Sequence, residues 1–357
     1  MSRVGVLLFS TVLALFPLAS AAEDAWTGMD RVVAVGDLHG DYEQTIAVLR
    51  SAGLIDDNLN WAGGQTCLVQ NGDVVDRGPA PRKIMDLLMK LESQAKEQGG
   101  YVHCLIGNHE AMNLQGDFRY VSPEAFAEFS KPDKPSPSDL GHPPGYTEYK
   151  RQLSPDGTYG RWIRKHNVAI RIGDTIFVHG GIGPKFVKYS LRELNDRARE
   201  ELSHLPARQD GVLWDPEGPL WYRGMARGNE EILRPVVLAV LNGSHAARIV
   251  IGHTFTDGAV TPNFGGKIIM IDIGLARLYD QFTRLACLVI EHGKPYALHR
   301  GTRLELPADD GPDLLRYLKE AARLDPQPSA LLARIQTLEK RLTAGTTAPP
   351  SATADRP

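Results

Sequence analysis

Before residue 110 one pattern recurs three times: an apolar run of strand length, a polar loop containing glycine, then a helix-like segment. Arg31–Val35 runs into Gly36-Asp37-Leu38-His39-Gly40 and a helix over Tyr42–Ser51. Cys67-Leu68-Val69 runs into a loop from Gly72 to Pro81 and a helix from Arg82 to Gln98. Val102–Ile106 ends at Gly107. Strand, loop and helix in repetition predict parallel strands joined by crossover helices, because parallel neighbours cannot be linked by a tight turn. In such a sheet functional groups gather beyond the carboxyl ends of the strands. The polar blocks of this chain stand at those ends.

The second half reads differently. Val168–Ile172 and Thr175–Val178 flank Gly173-Asp174, a hairpin signal. Arg248–Ile251, Lys267–Ile273, Arg284–Ile290 and Tyr296–His299 are further short apolar runs, which predict a mixed or antiparallel second sheet. The expected architecture is an α/β two-sheet sandwich. Residues 112–160, with a Pro-rich stretch from Lys131 to Pro144, and residues 183–247 interrupt it as insertions leaving from strand ends, placed to cap a site. Helices are expected at Pro312–Leu324 and Ser329–Leu342. Leu331, Ile335, Leu338 and Leu342 make one apolar stripe in the second of them, to be packed back on the domain at 22–310. The composition of Thr343–Pro357 is that of a disordered tail.

With 40 basic and 43 acidic residues well mixed, the chain has no polybasic block to suggest nucleic acid or an anionic membrane surface. Arg3, the apolar run Val4–Phe16, Pro17 and Ala19-Ser20-Ala21 read as a cleavable secretory signal over residues 1–21, hence a secreted or periplasmic protein. The run is short for a membrane anchor. Cys67, Cys104 and Cys287 each sit in a strand-like run and read as buried thiols, with a Cys67–Cys104 disulfide as the pairing left open.

The strand-end blocks carry a metal-ligand set. Asp37 and His39 alternate across Leu38; Asp73, Asn108, His179 and His253 end four other strands. Two divalent ions roughly 3.5–4 Å apart, bridged by a carboxylate, are the arrangement that clamps both ends of an in-line displacement. Oxygen and imidazole donors without a thiolate cluster suit Mn, Fe, Zn or Co. Only Asp37 and Asp73 are anionic, so the loaded site stays positive and attracts a phosphate dianion. His109, next to Asn108 at a strand-to-helix turn, is expected to point away from the ligand position and to act as general acid, with Asp76 orienting it. Arg77 and Arg223 are candidate phosphate clamps, and Arg119 a further substrate contact.

Taken together, Gly36-Asp37-Leu38-His39-Gly40, Gly72-Asp73-Val74-Val75-Asp76-Arg77-Gly78, Gly107-Asn108-His109-Glu110, His179-Gly180-Gly181 and Ile251-Gly252-His253 resemble the signature blocks of the phosphoprotein phosphatases, within the calcineurin-like metallophosphoesterases. Asn108–Asn113 followed by Gly116–Val121 is similar to the bacterial Shewanella-like phosphatases. The resemblance implies a four-layer α/β/β/α sandwich. It implies one metal on Asp37, His39 and Asp73 and a second on Asp73, Asn108, His179 and His253. It implies His109 with Asp76 as proton donor, Arg77, Arg223 and Asn108 on phosphate, Mn as the usual assay metal, and direct hydrolysis without a phospho-enzyme. The spacing from Trp214-Asp215 to Arg223 is shorter than in the eukaryotic Ser/Thr enzymes, and Phe264 stands nearest to their tyrosine-bearing loop. The expected substrate is a phosphorylated protein, on Ser/Thr or Tyr. The alternatives are a small phosphate ester or dinucleoside polyphosphate, and a secreted binding module without activity.

Overall fold

The computed structural model describes residues 23–130, 139, 141–206, 208–279, 282–307 and 311–344. The expected signal segment and C-terminal tail, and most of the Pro-rich stretch, lie outside the described residues.

The opening pattern folds as its periodicity dictates. After a two-residue strand β1 (Ala25–Trp26) come β2 (Arg31–Val35), α1 (Tyr42–Ser51), β3 (Cys67–Gln70), α2 (Pro81–Glu97) and β4 (Tyr101–Cys104). β2 pairs with β3, and β3 with β4, both parallel. Asp41 caps α1 by accepting from the Gln44 amide at 3.1 Å, and Pro81 opens α2, where its missing N–H costs nothing. α3 (Asn108–Leu114), α4 (Pro123–Ala127), α5 (Tyr146–Leu153) and α6 (Thr158–Ile163) follow.

The hairpin forms as β5 (Ala169–Ile172) and β6 (Thr175–Val178), antiparallel, with Gly173 in the left-handed region. Next come α7 (Leu191–Ser203), α8 (Gly224–Arg227), α9 (Glu230–Gly243), β7 (Arg248–Ile251), β8 (Thr261–Asn263) and β9 (Ile268–Met270). They complete a six-stranded mixed sheet in the order β1-β5-β6-β7-β9-β8.

The last strands do not join that sheet, as their place in the sequence suggested. β10 (Ala286–Glu291), β11 (Lys294–His299) and β12 (Thr302–Glu305) extend the first sheet as an antiparallel meander on the free edge of β2, in the order β12-β11-β10-β2-β3-β4. An apolar run cannot announce which of two open edges it will cover. The result is two sheets face to face with helices outside. β3 and β6 are buried at every position, which requires cover on both faces.

Register removes the open disulfide. Cys67 stands opposite Tyr101 and Cys104 opposite Gln70, and all three cysteines are free and buried. α10 (Pro312–Leu324) and α11 (Leu332–Thr343) pack back on the domain, with Leu331, Ile335 and Leu338 buried. No helix among the described residues is long and apolar enough to cross a membrane.

Candidate metal centre

Both sheets point their carboxyl ends at one place. The loop after β2 is clipped to the loop after β3: the Leu38 and His39 amides donate to the Asp73 carbonyl at 2.9 and 3.0 Å, and Gly78 N donates to the His39 carbonyl at 3.0 Å. His39, Asp73, Asp76, Arg77 and His253 all have positive φ, between 41° and 68°. Non-glycine residues in that region cost about 1–3 kcal/mol each and persist only where their surroundings over-determine them. At Asp73 that hold comes from Glu110. Its two oxygens accept from the backbone amides of Asp73, Gly107 and Val74, each at 2.8 Å, and Val75 at 3.2 Å. Gly107 must lack a side chain, because a Cβ there would strike the Asp73 carboxylate.

Asp37, His39, Asp73, Asn108, His179 and His253 are all buried and brought together. Donor atoms of Asp73, His179 and His253 lie within 4.8 Å of one another, and so do those of His39, Asp73 and His109. Asp73 belongs to both groups, as a bridging ligand must. His179 Nε2 lies 3.2 Å from Asp73 Oδ2 and 3.0 Å from Asn108 Oδ1. Asp37 Oδ2 is 4.0 Å from His39 Nε2.

The donor chemistry fits divalent cations. His39 Nδ1 donates to the Val75 carbonyl at 3.2 Å and His179 Nδ1 to the Asn71 carbonyl at 2.8 Å, which leaves each Nε2 aimed into the cluster. His253 Nε2 is buried with no hydrogen-bond partner, a costly state for a polar atom unless a cation takes its lone pair. Burial, with the neighbouring carboxylates of Asp272 and Asp73, pushes Asp37 well above the usual carboxylate range against the opposing pull of His179. Burial also disfavours the Asp73 carboxylate, but His179, His109 and His39 outweigh it and hold its pKa well below the ordinary value. Burial lowers His39 to about 3, so its imidazole is neutral and able to ligate. His39, Asp37, Asp73, Asn108, His179 and His253 are the residues that would hold two ions.

His109 departs from the expectation that it points away. Its Nε2 faces the cluster, 3.9 Å from Asp73 Oδ2, while Nδ1 donates to Asp76 Oδ2 at 2.6 Å. Burial works against its cationic form, but Asp73 and then Asp76 raise its pKa above the ordinary value. Asp76 is itself held by Asn113 Nδ2 at 2.8 Å, and Asn113 by the Tyr149 hydroxyl at 2.6 Å. The Arg77 guanidinium lies over the exposed Tyr120 ring, 5.5 Å from its centroid, and that ring also flanks His109 at 5.4 Å. Arg223 reaches the centre from the second insertion, donating to the His253 carbonyl at 2.6 Å and Thr254 Oγ1 at 3.2 Å. Arg119 is exposed and paired with Asp117 at 2.7 Å, and Phe264 is wholly buried in the core, so it offers nothing to a ligand.

Four further residues take part. Glu110 is signalled as an acid three residues past a glycine N-cap. Asp272, a buried carboxylate acting on Asp37, could have been found as the lone acid in the run Ile268–Ile273. Asn113 closes the block Asn108–Asn113, which does not disclose its contact with Asp76, and Tyr149 has no sequence signal.

The calcineurin-like phosphoesterase family model matches residues 30–257. The chain is 31% identical to Shewanella-like protein phosphatase 2 of Arabidopsis thaliana, over 70% of this chain and 72% of that one. It is 29% identical to Shewanella-like protein phosphatase 1 of Plasmodium berghei, over 76% and 70%. A crystal structure described as a cold-active protein-tyrosine phosphatase of a psychrophilic Shewanella species superposes with a TM-score of 0.67 at 28% identity, covering 79% of this chain and 81% of that one. With blocks, fold and buried ligand set in agreement, the chain belongs to the calcineurin-like metallophosphoesterases and is a metal-dependent phosphatase.

Proposed function

We propose that this phosphatase acts on phosphorylated proteins, phosphotyrosine among its substrates, with Mn in both metal positions. The observation that carries this is a fold shared over about four fifths of both chains with the Shewanella protein-tyrosine phosphatase. Tyr120, exposed beside His109, supports it as an aromatic surface for the substrate side chain to meet.

A pair of divalent ions supplies Lewis acidity at the phosphoryl oxygens and lowers the pKa of water. The chain does the rest. Arg77 and Arg223 bring fixed positive charge to the phosphoryl oxygens, and Asn108 offers an amide beside them. His109 holds a proton at Nε2, opposite the Nδ1 that Asp76 occupies, and gives it to the departing oxygen of the side chain. Asp76 keeps the ring in that orientation and its charge in place. The apolar segment Val4–Phe16 with Ala19-Ser20-Ala21 supports export as a secreted or periplasmic enzyme.

A panel of phosphotyrosine, phosphoserine and phosphothreonine peptides, set against dinucleoside polyphosphates and small phosphate esters, tests the proposal with the Mn-loaded chain. Phosphopeptides should give the higher kcat/KM. Preference for the nucleotides would overturn the protein-phosphatase reading and leave the metal centre intact.

A further inference from the structure

The C-terminal helices lie beyond residue 257, where the family match ends, yet they grip the loop that carries His253. Arg334, on α11, donates from one Nη to the Thr256 carbonyl at 2.8 Å and to Thr261 Oγ1 at 2.9 Å. On α10 the Tyr317 hydroxyl donates to the Val260 carbonyl at 2.8 Å. Thr256 passes the hold inward. Its amide donates to the Asp272 carbonyl at 2.9 Å, its hydroxyl lies 2.7 Å from the Ala259 carbonyl and 3.0 Å from that of Asp272, and Asp272 is the carboxylate beside Asp37.

This loop needs holding. His253 and Asp257 both have φ of 61°, a left-handed conformation uncommon outside glycine. Arg223 braces it through the His253 carbonyl, and Arg334 braces it three residues on, through the Thr256 carbonyl. The helix pair is fixed in turn. Asp325, between the two helices, accepts from His299 Nε2 at 2.8 Å, Arg300 Nε at 2.9 Å and Ser329 Oγ at 2.7 Å, while Lys319 and Glu339 join the helices at 2.6 Å.

We propose that Arg334 is a positioning residue for the metal centre: through Thr256 and Thr261 it fixes the His253 loop and the Asp272 backbone, and so sets the affinity of the ion that His253 ligates. The inference rests on the metal-centre reading given above. Groups that orient metal ligands typically govern affinity by about 10–100-fold.

Mn titration of the metal-free full chain, by competition with a chelating dye, reads this without turnover. Arg334→Met, close in length, should weaken one Mn site at least about tenfold and leave the other within about twofold, and Arg334→Lys should recover most of the loss. Its kcat at low Mn should fall and return at saturating Mn, with KM unchanged. Leu338→Ala loosens α11 by a cavity but leaves both acceptors of Arg334 in place, so its melting temperature should drop with Mn affinity intact. Thr261→Val, which deletes one acceptor, replaces Arg334→Met if that variant fails to fold, and should show a partial loss. Unchanged Mn affinity in the folded variant, or an equal loss in Leu338→Ala, overturns the proposal. Failure of the unaltered chain to bind Mn overturns the metal-centre reading itself and is seen before any variant is made.

Discussion

His109 and Asp76 are joined by a 2.6 Å contact between Nδ1 and Oδ2, and both groups are buried. The contact fixes which imidazole nitrogen faces the metal ligands and, after Asp73, is what lifts the His109 pKa above 6.5. A general acid must carry its proton, and Asp76 is the carboxylate in direct contact with this one, so turnover should fall as pH rises through the pKa of His109. Asp76→Asn removes the charge but suits the left-handed backbone at this position, where φ is 68°. The alkaline limb of its kcat–pH profile should begin at lower pH than in the parent, with kcat reduced. An unmoved limb would show that His109 is not the titrating acid.

His109→Ala should keep both ions and lose about 10²–10⁴-fold in kcat, the range of general acid catalysis. Metal content by mass spectrometry decides the point, because Nε2 lies 3.9 Å from the Asp73 carboxylate. Loss of an ion would make His109 a ligand.

Metal uptake should release protons. Burial opposes the His179 imidazolium, but Asp73 and Asp37 raise its pKa to about 10, so at neutral pH the metal-free chain holds a proton there that an ion must displace. Mn affinity should therefore climb as pH rises, and calorimetry in buffers of different ionisation enthalpy should report the released proton. The same shift stabilises the metal-free fold. That contribution is complete below the unfolded value near 6.5 and is lost as pH rises through about 10, which thermal unfolding across that window would read.

Glu110→Gln swaps one acceptor oxygen for a donor facing backbone N–H groups, in a cluster where the carboxylate accepts from Asp73, Val74, Val75 and Gly107. A loss of about 1–3 kcal/mol in stability is expected, with weaker metal binding because Asp73 is no longer held. Denaturant unfolding and Mn titration on the same sample check both.

What the sequence disclosed follows from where its signals are local. The three strand–loop–helix units, the β5–β6 hairpin and the span of α10 can be read from periodicity and turn residues because neighbouring positions determine them. The gathering of Asp37, His39, Asp73, Asn108, His179 and His253 could be read because all stand at strand ends. The return of β10–β12 to the first sheet could not, since edge choice is a long-range matter. Nor could the orientation of His109, the Asn113–Tyr149 support of Asp76 or the reach of Arg334 to Thr256, each of which joins residues whose separation carries no pattern.

The central claim is that buried carboxylate, amide and imidazole ligands hold a divalent pair that drives phosphate release. Its most direct test is hydrolysis of a phosphotyrosine peptide by the chain stripped with a chelator and then titrated with Mn, with bound metal and released phosphate measured together. The account predicts no turnover in the stripped chain and activity that rises with metal content to saturate at two ions per chain. Turnover by the metal-free chain, or its absence at full loading with Mn, Fe, Zn and Co alike, would contradict it.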